Sequence, residues 1–281
     1  MKKTAFIIAL LLFGMLKTHA QTAGYKIYAI KFAASAYPFT VADWCDGGPK
    51  TVPVKINFMF WLIKGKGRNI LLDAGFLNDM EDAKEFKIVD YIRPDSALLK
   101  AGLKASDITD IILSHPHWDH IDGVSLFPNA QVWMQKGDFN YFVSTAWQKG
   151  NDNGGYNKRD VRTMVDINLA GRLNLVDGDN KEIMPGIKVY TGSRHTFNSQ
   201  YVKVETGNNK VILASDNIWI YYSLEHMVPA SKGGTLDPAG YVKAMQRMKT
   251  MVSDVKFIVP GHDSKVFTHF TLVADGVVEI K

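Results

Sequence analysis

A single cysteine, Cys45, stands in 281 residues, which excludes an internal disulfide and any site built on a cluster of thiolates. Stability must therefore come from packing and from whatever metal other donors hold. Lysine and arginine never gather into a block, so the basic stretch that nucleic-acid binding usually needs is missing. No short repeat is evident. The longest apolar run, Ala5 to Leu16, falls short of the ~20 residues that span a bilayer comfortably. Histidine is scarce as well, with eight in the chain, so the places where it clusters carry information. Cys45 itself reads as an inert, partly buried thiol; its setting, Trp44-Cys45-Asp46-Gly47-Gly48, leaves the mouth of a pocket as the other reading.

What is present begins with Met1-Lys2-Lys3, the apolar run, and Thr18-His19-Ala20 before Gln21. A basic start, a short apolar core and a small-x-small ending predict a cleavable secretory signal over residues 1–20, with one domain over residues 21–281 in the periplasm or outside the cell and no stable membrane anchor after cleavage. Cleavage removes three lysines and no acid, lowering the formal charge from +5 to +2. The apolar fraction of 46% is ample for a folded core.

The chain is organised around Ser114-His115-Pro116-His117-Trp118-Asp119-His120-Ile121-Asp122-Gly123. The apolar Ile111-Ile112-Leu113 before it reads as a short buried strand. In extended chain alternate side chains point the same way, so His115 and His117 can reach one metal ion together. Asp119 and His120 are adjacent, and the turning backbone directs them to a neighbouring position, which predicts two metals. Imidazole and carboxylate donors suit zinc, and also iron, manganese or cobalt, better than calcium or magnesium.

Strands are predicted from Tyr25 to Phe32, from Val52 to Ile63, and from Asn69 to Asp73 after a turn at Lys64 to Gly67. Asp73 either caps a turn or accepts a ring N–H from a metal-binding histidine. Residues 76 to 94 read as a surface excursion, followed by a short helix from Ser96 to Ala101 ending at Gly102. Past the metal stretch come a strand at Val132 to Met134, a helix from Asp138 to Trp147, and a Gly/Asn-rich break at Lys149 to Tyr156 that is the predicted mobile loop. Ile187 to Tyr190, Tyr201 to Glu205 and Val211 to Ala214 read as strands. Asp237-Pro238 starts a helix with Tyr241, Val242, Met245, Met248 and Val252 on a core-packing face. Phe257 to Val259 reads as the last strand. Two facing sheets with helices outside satisfy this order.

Further donors stand beyond other strands: His195 in Ser193-Arg194-His195-Thr196, Asp216 after Val211 to Ala214, and His262 in Pro260-Gly261-His262-Asp263. Singly each reads as a turn residue; jointly they make five histidines and two aspartates, enough for two ions sharing a carboxylate and a water. This pattern, His-x-His-x-Asp-His, a later His-Thr, an Asp behind an apolar strand and a final Gly-His, resembles the metallo-β-lactamase superfamily over nearly the whole mature chain. The resemblance implies a four-layer αββα sandwich of class α/β, with His115, His117 and His195 on one Zn2+, Asp119, His120 and His262 on the other, and Asp216 between them.

Within that superfamily the chain looks most like N-acyl-homoserine lactonases, through Ser-His-x-His-x-Asp-His, the spacing from Asp216 to Val228-Pro229 and to the Asp237-Pro238 helix, and Gly261-His262-Asp263 before Val266-Phe267. The implied reaction is opening of a lactone ring by hydroxide held between two metals, with Asp119 passing a proton to the leaving oxygen. Trp118, Trp219, Tyr221, Tyr222, Phe142 and Trp147 are the candidate trough for an acyl chain. One departure matters: similar lactonases carry a tyrosine three residues after the bridging aspartate, where this chain has Trp219, with Tyr221 or Tyr222 as substitutes. Other esters, thioesters and β-lactams are the alternative substrates, and a metal-binding protein without turnover is the alternative class. Asp216 where β-lactamases commonly carry Cys or Ser, and a tail from Thr268 to Ile280 without Lys or Arg, weigh against a β-lactam and a glutathione thioester.

Overall fold

The computed structural model describes residues 24–281; the predicted signal segment, residues 1–20, lies outside them. The strands are β1 (Lys26–Ser35), β2 (Asn57–Gly65), β3 (Arg68–Leu72), β4 (Ile88–Val89), β5 (Asp110–Ile112), β6 (Gln131–Gln135), β7 (Leu173–Val176), β8 (Lys181–Met184), β9 (Ile187–Thr191), β10 (Gln200–Glu205), β11 (Lys210–Ser215), β12 (Ile258–Pro260), β13 (Thr271–Ala274) and β14 (Val277–Glu279). The helices used below are α1 (Val41–Trp44), α2 (Glu81–Glu85), α3 (Pro94–Leu98), α4 (Trp118–Ile121), α5 (Lys136–Val143), α6 (Lys158–Leu169), α7 (Tyr221–His226) and α8 (Pro238–Met251).

One sheet runs β13-β14-β1-β2-β3-β5-β6-β7, with β4 against β1; the other runs β12-β11-β10-β9-β8. In the first sheet the ladder from β3 through β5 and β6 to β7 is parallel. In the second, β11 and β12 are parallel. These parallel ladders bring the carboxyl ends of β3, β5, β11 and β12 to one edge, where loops are free to carry function.

Both faces of β2 are buried, which explains its unbroken apolar run. Phe58, Phe60 and Leu62 join Leu71, Ile111, Val132, Phe142 and Met164 in a core under the helices on one side. Met59, Trp61 and Ile63 point the other way, meeting Val189, Val202, Val211 and Val259 between the two sheets. On the far face of the second sheet, Tyr190, Ile212 and Ile258 pack against Tyr241, Met245 and Met248 of α8. The layers are therefore helix, sheet, sheet, helix: the αββα sandwich. Asp237 caps α8 by accepting from the Gly240 amide at 2.9 Å, as its sequence predicts.

Four expectations need correction. β2 starts at Asn57 rather than Val52, because Pro53 has no amide to donate and the segment makes only isolated bridges at Pro53 and Ile56. Residues 76 to 94 are not merely a surface excursion, since Phe76 and Met80 are buried in the core. β12 is not the last strand; β13 and β14 follow and pair onto β1. α6, β7 and β8 also form where no element was expected.

Candidate metal centre

Each donor sits just past a strand. His115 follows β5; His117 precedes the four-residue α4, which carries Asp119 and His120; Asp216 follows β11; His262 follows β12; and His195 lies between β9 and β10. Although scattered over some 150 positions, they converge on two adjoining sets, His115–His117–His195 and Asp119–His120–His262, with Asp216 reaching toward both.

Asp216 Oδ2 lies 3.3 Å from His195 Nε2 and 3.9 Å from His115 Nε2, while Oδ1 lies 2.9 Å from His262 Nε2 and 3.3 Å from His120 Nε2. Asp119 Oδ2 stands 3.2 Å from His120 Nε2 and 3.5 Å from His262 Nε2, and His117 Nδ1 stands 2.9 Å from His195 Nε2. Donors bound tetrahedrally at zinc distances are about 3.3–3.5 Å apart, so the spacing fits. The buried atoms His115 Nε2, His120 Nε2 and Asp216 Oδ1 make no well-aligned hydrogen bond, close as their neighbours in the cluster stand. Buried polar atoms of this kind are rare unless something satisfies them, and all three point to the place where an ion would sit. The donor set fits a pair of divalent ions.

The ring nitrogens turned away from the centre are anchored. His120 Nδ1 is 2.8 Å from Asp73 Oδ2, His195 Nδ1 2.7 Å from the Gly234 carbonyl, His262 Nδ1 3.1 Å from the Asn57 carbonyl, and His115 Nδ1 2.8 Å from Ser114 Oγ. Such contacts fix tautomer and ring direction. Of the two roles weighed for Asp73, the histidine contact is the one observed. Asp73 also accepts from the Ser114 amide and from the Ser114 and Ser215 hydroxyls. Asp73 and Ser215 both have positive φ, +63° and +46°, a strained backbone that recurs at functional sites. Gly261 is required here, because a Cβ would lie 2.6 Å from Asp216 Oδ1.

Charge distribution follows from burial and proximity. Burial, and then its imidazole neighbours, hold His115 well below the usual histidine range; burial and His195 lower His117 to about 3. Burial opposes a proton on His120 and His262, yet the carboxylates of Asp119 and Asp216 raise both. Burial likewise disfavours ionised Asp216, but His262 and His120 hold it well below the carboxylate range. The Asp119 and Asp216 carboxylates thus favour positive charge beside them, and His115 and His117 stay neutral, the form in which an imidazole can bind a metal.

The centre lies on the floor of a cavity of about 700 Å³. Its walls include Tyr37, Phe39, Trp44, Phe58, Phe86, Trp118, Tyr141, Tyr156, Trp219 and Leu236. Acids among the lining residues are Asp43, Glu85, Asp119, Asp152 and Asp216, and neither lysine nor arginine is among them. Trp118 and Trp219 of the candidate trough are present. Tyr221, Tyr222, Phe142 and Trp147 are not, and the expectation is corrected: Tyr221 is buried in the core between the sheets, Tyr222 stacks on His226, Phe142 is core under the helices, and Trp147 donates to the Phe142 carbonyl. Neither tyrosine of α7 is among the residues lining the cavity, and the Trp219 N–H donates to Asp216 Oδ2 at 2.8 Å. Cys45 is fully buried, 3.1 Å from Ser223 Oγ, and burial pushes its thiol up to about 11, so it is inert. The 149–156 loop meets the site directly: the Gly155 carbonyl accepts from the Trp118 amide and Tyr156 packs on His117.

The family model described as the metallo-beta-lactamase superfamily matches residues 59–262. An N-acyl homoserine lactonase of Bacillus cereus is 25% identical over 179 residues, covering 63% of this chain and 64% of that protein, so the match spans just under two thirds of the relative. The N-acyl homoserine lactonase AttM of Rhizobium radiobacter is 24% identical over 247 residues, covering 80% of this chain and 87% of its own length. Among solved structures, an N-acyl homoserine lactone hydrolase with the product N-hexanoyl-L-homoserine at its catalytic metal centre superposes with a TM-score of 0.70 at 19% identity, over 90% of this chain and 98% of that one; at that identity the likeness concerns the fold.

Proposed function

The chain belongs to the metallo-β-lactamase superfamily, and from that premise we propose that it is a two-metal hydrolase opening the lactone ring of N-acyl-homoserine lactones. The observation that carries the reading is the cavity: five of the seven candidate metal donors, His117, Asp119, His195, Asp216 and His262, line an aromatic chamber whose lining includes no lysine or arginine, with His115 and His120 buried behind them. A β-lactam or a glutathione thioester brings a carboxylate, away from its reacting carbonyl, that such a wall leaves unpaired. A neutral acyl lactone brings none.

Two divalent ions, zinc or another transition metal, would polarise the lactone carbonyl and make water nucleophilic near neutral pH. The protein's part is positional. Asp119, partly exposed to the cavity, stands beside His120 and His262 and can carry a proton from the attacking water to the departing ring oxygen. Trp118, Phe86, Phe39 and Leu236 exclude water and bind the acyl chain by contact area. Export after removal of residues 1–20 is part of the same proposal; intact mass of the cell-derived protein, beginning at Gln21, is its check.

The test is a pH-stat assay of zinc-loaded protein on short- and long-chain acyl homoserine lactones, a β-lactam and a glutathione thioester. Acid release with the lactones, lost in Asp216→Ala, is the expected result. Turnover confined to an anionic substrate would overturn the choice of lactone.

A further inference from the structure

Asp216 serves both metal positions, one oxygen to each, so the orientation of a single carboxylate decides whether both exist. Among the described residues, one side-chain hydrogen bond reaches it from outside the ligand set: the Trp219 indole N–H, 2.8 Å from Oδ2. Oδ2 is the oxygen facing His195 and His115.

The indole is itself held on several sides. Its ring centroid lies 5.1 Å from that of Trp44 and 5.5 Å from that of His195, both edge-on. Its outer edge rests on Gly234, where a Cβ would come within 2.3 Å of Cη2. The Gly234 carbonyl accepts from His195 Nδ1, the Trp219 carbonyl accepts from the His262 amide at 2.9 Å, and the Trp219 amide donates to the Tyr241 hydroxyl at 3.1 Å. One residue is thereby linked to three of the seven donors: Asp216 through its side chain, His262 through its backbone, and His195 through the glycine beneath it.

We propose that Trp219 is a positioning residue for the metal pair, its indole N–H fixing the rotation of the Asp216 carboxylate so that each oxygen faces one donor set. A carboxylate free to rotate would present both oxygens to one ion or neither to the other, and orienting contacts of this type are worth roughly 10–100-fold in metal affinity. The inference rests on the two-metal reading of the site and does not depend on which substrate is cleaved.

Zinc affinity tests it without substrate. Stepwise competition with a chromophoric chelator, on metal-free protein of the parent and of Trp219→Phe, measures both binding constants. The phenyl ring keeps most of the packing and removes the N–H. The expected result is two zinc ions in the parent and a 10–100-fold loss at one or both steps in Trp219→Phe, with the thermal midpoint of the metal-free protein little changed. Gly234→Ala, which must displace the indole from outside, should shift the same constants in the same direction. In turnover, kcat should fall in Trp219→Phe with KM nearly unchanged. Unchanged zinc constants in both variants, with KM raised instead, would make Trp219 a cavity wall only and overturn the proposal. A parent that binds no zinc would overturn the two-metal reading along with it.

Discussion

At the scale of single residues, the centre depends on atoms that never touch a metal. Asp73 follows β3 in a strained conformation and is shared among His120, Ser114 and Ser215. Asp73→Ala removes the acceptor from His120 Nδ1, and the expected outcome is a 10–100-fold weaker hold on one zinc ion, read by chelator competition; an unchanged constant would mean that His120 is oriented by packing alone. Ser114 flanks the histidine motif in sequence, yet its contact with Asp73 requires β3 and β5 to be neighbours. The aromatic residues divide less legibly. Tyr221 and Trp219 are two positions apart, and one is sealed in the core while the other touches the Asp216 carboxylate. Apolar burial has no directional preference, so composition alone does not say which ring faces a cavity.

At the scale of elements, the cavity is assembled from segments with weak patterns of their own. α2 leads into Phe86, α1 carries Trp44, and the 149–156 loop places Tyr156 against His117. Leu236, half exposed on the chamber wall, can be shortened without disturbing the core: Leu236→Ala should raise KM several-fold for a long acyl chain and little for a short one, by the roughly 1 kcal/mol that a half-exposed apolar contact of this size supplies. Tyr222→Phe should leave both unchanged. α6 escapes sequence reading because only Asp160, Met164 and Ile167 are buried along it, a stripe too narrow to register. Its first turn holds Asp160, which burial and then Asp122 push up to about 9, while Arg159 ties Asp122 to Asp79. The folded state therefore binds more protons than the unfolded chain, whose aspartates titrate near ~3.9, and stability from this group is lost as pH rises between about 4 and 9. Asp160→Asn, which cannot ionise, should gain in thermal midpoint over the parent across that window and level off above it; a constant difference would show that Asp160 is not the group responsible.

At the scale of the whole molecule, two sheets and their flanking helices exist as a rigid edge on which seven donors meet. No disulfide reinforces it, so occupancy of the centre should be felt throughout: removing metal with a chelator is expected to lower the thermal midpoint, and returning zinc should restore it in a concentration-dependent way. Because imidazole and carboxylate bind metal only when deprotonated, acidification should release the ions, with proton uptake measurable by titration. Among the described residues no helix is long and apolar enough to cross a membrane.

The residues of the candidate centre could be named from the sequence, because coordination demands particular atoms and the alternation of extended chain past β5 brings His115 and His117 together with no help from distant chain. The sandwich was legible for a similar reason: runs such as Phe58 to Ile63 must be buried on both faces wherever they lie. Only the tertiary structure decided which oxygen of Asp216 meets which histidines, that the Trp219 indole N–H is aimed at that carboxylate, and that the C-terminal hairpin of β13 and β14 closes onto β1. Those outcomes depend on contacts between residues far apart in sequence, where packing and geometry, not local chemistry, select among many equivalent rings and strands.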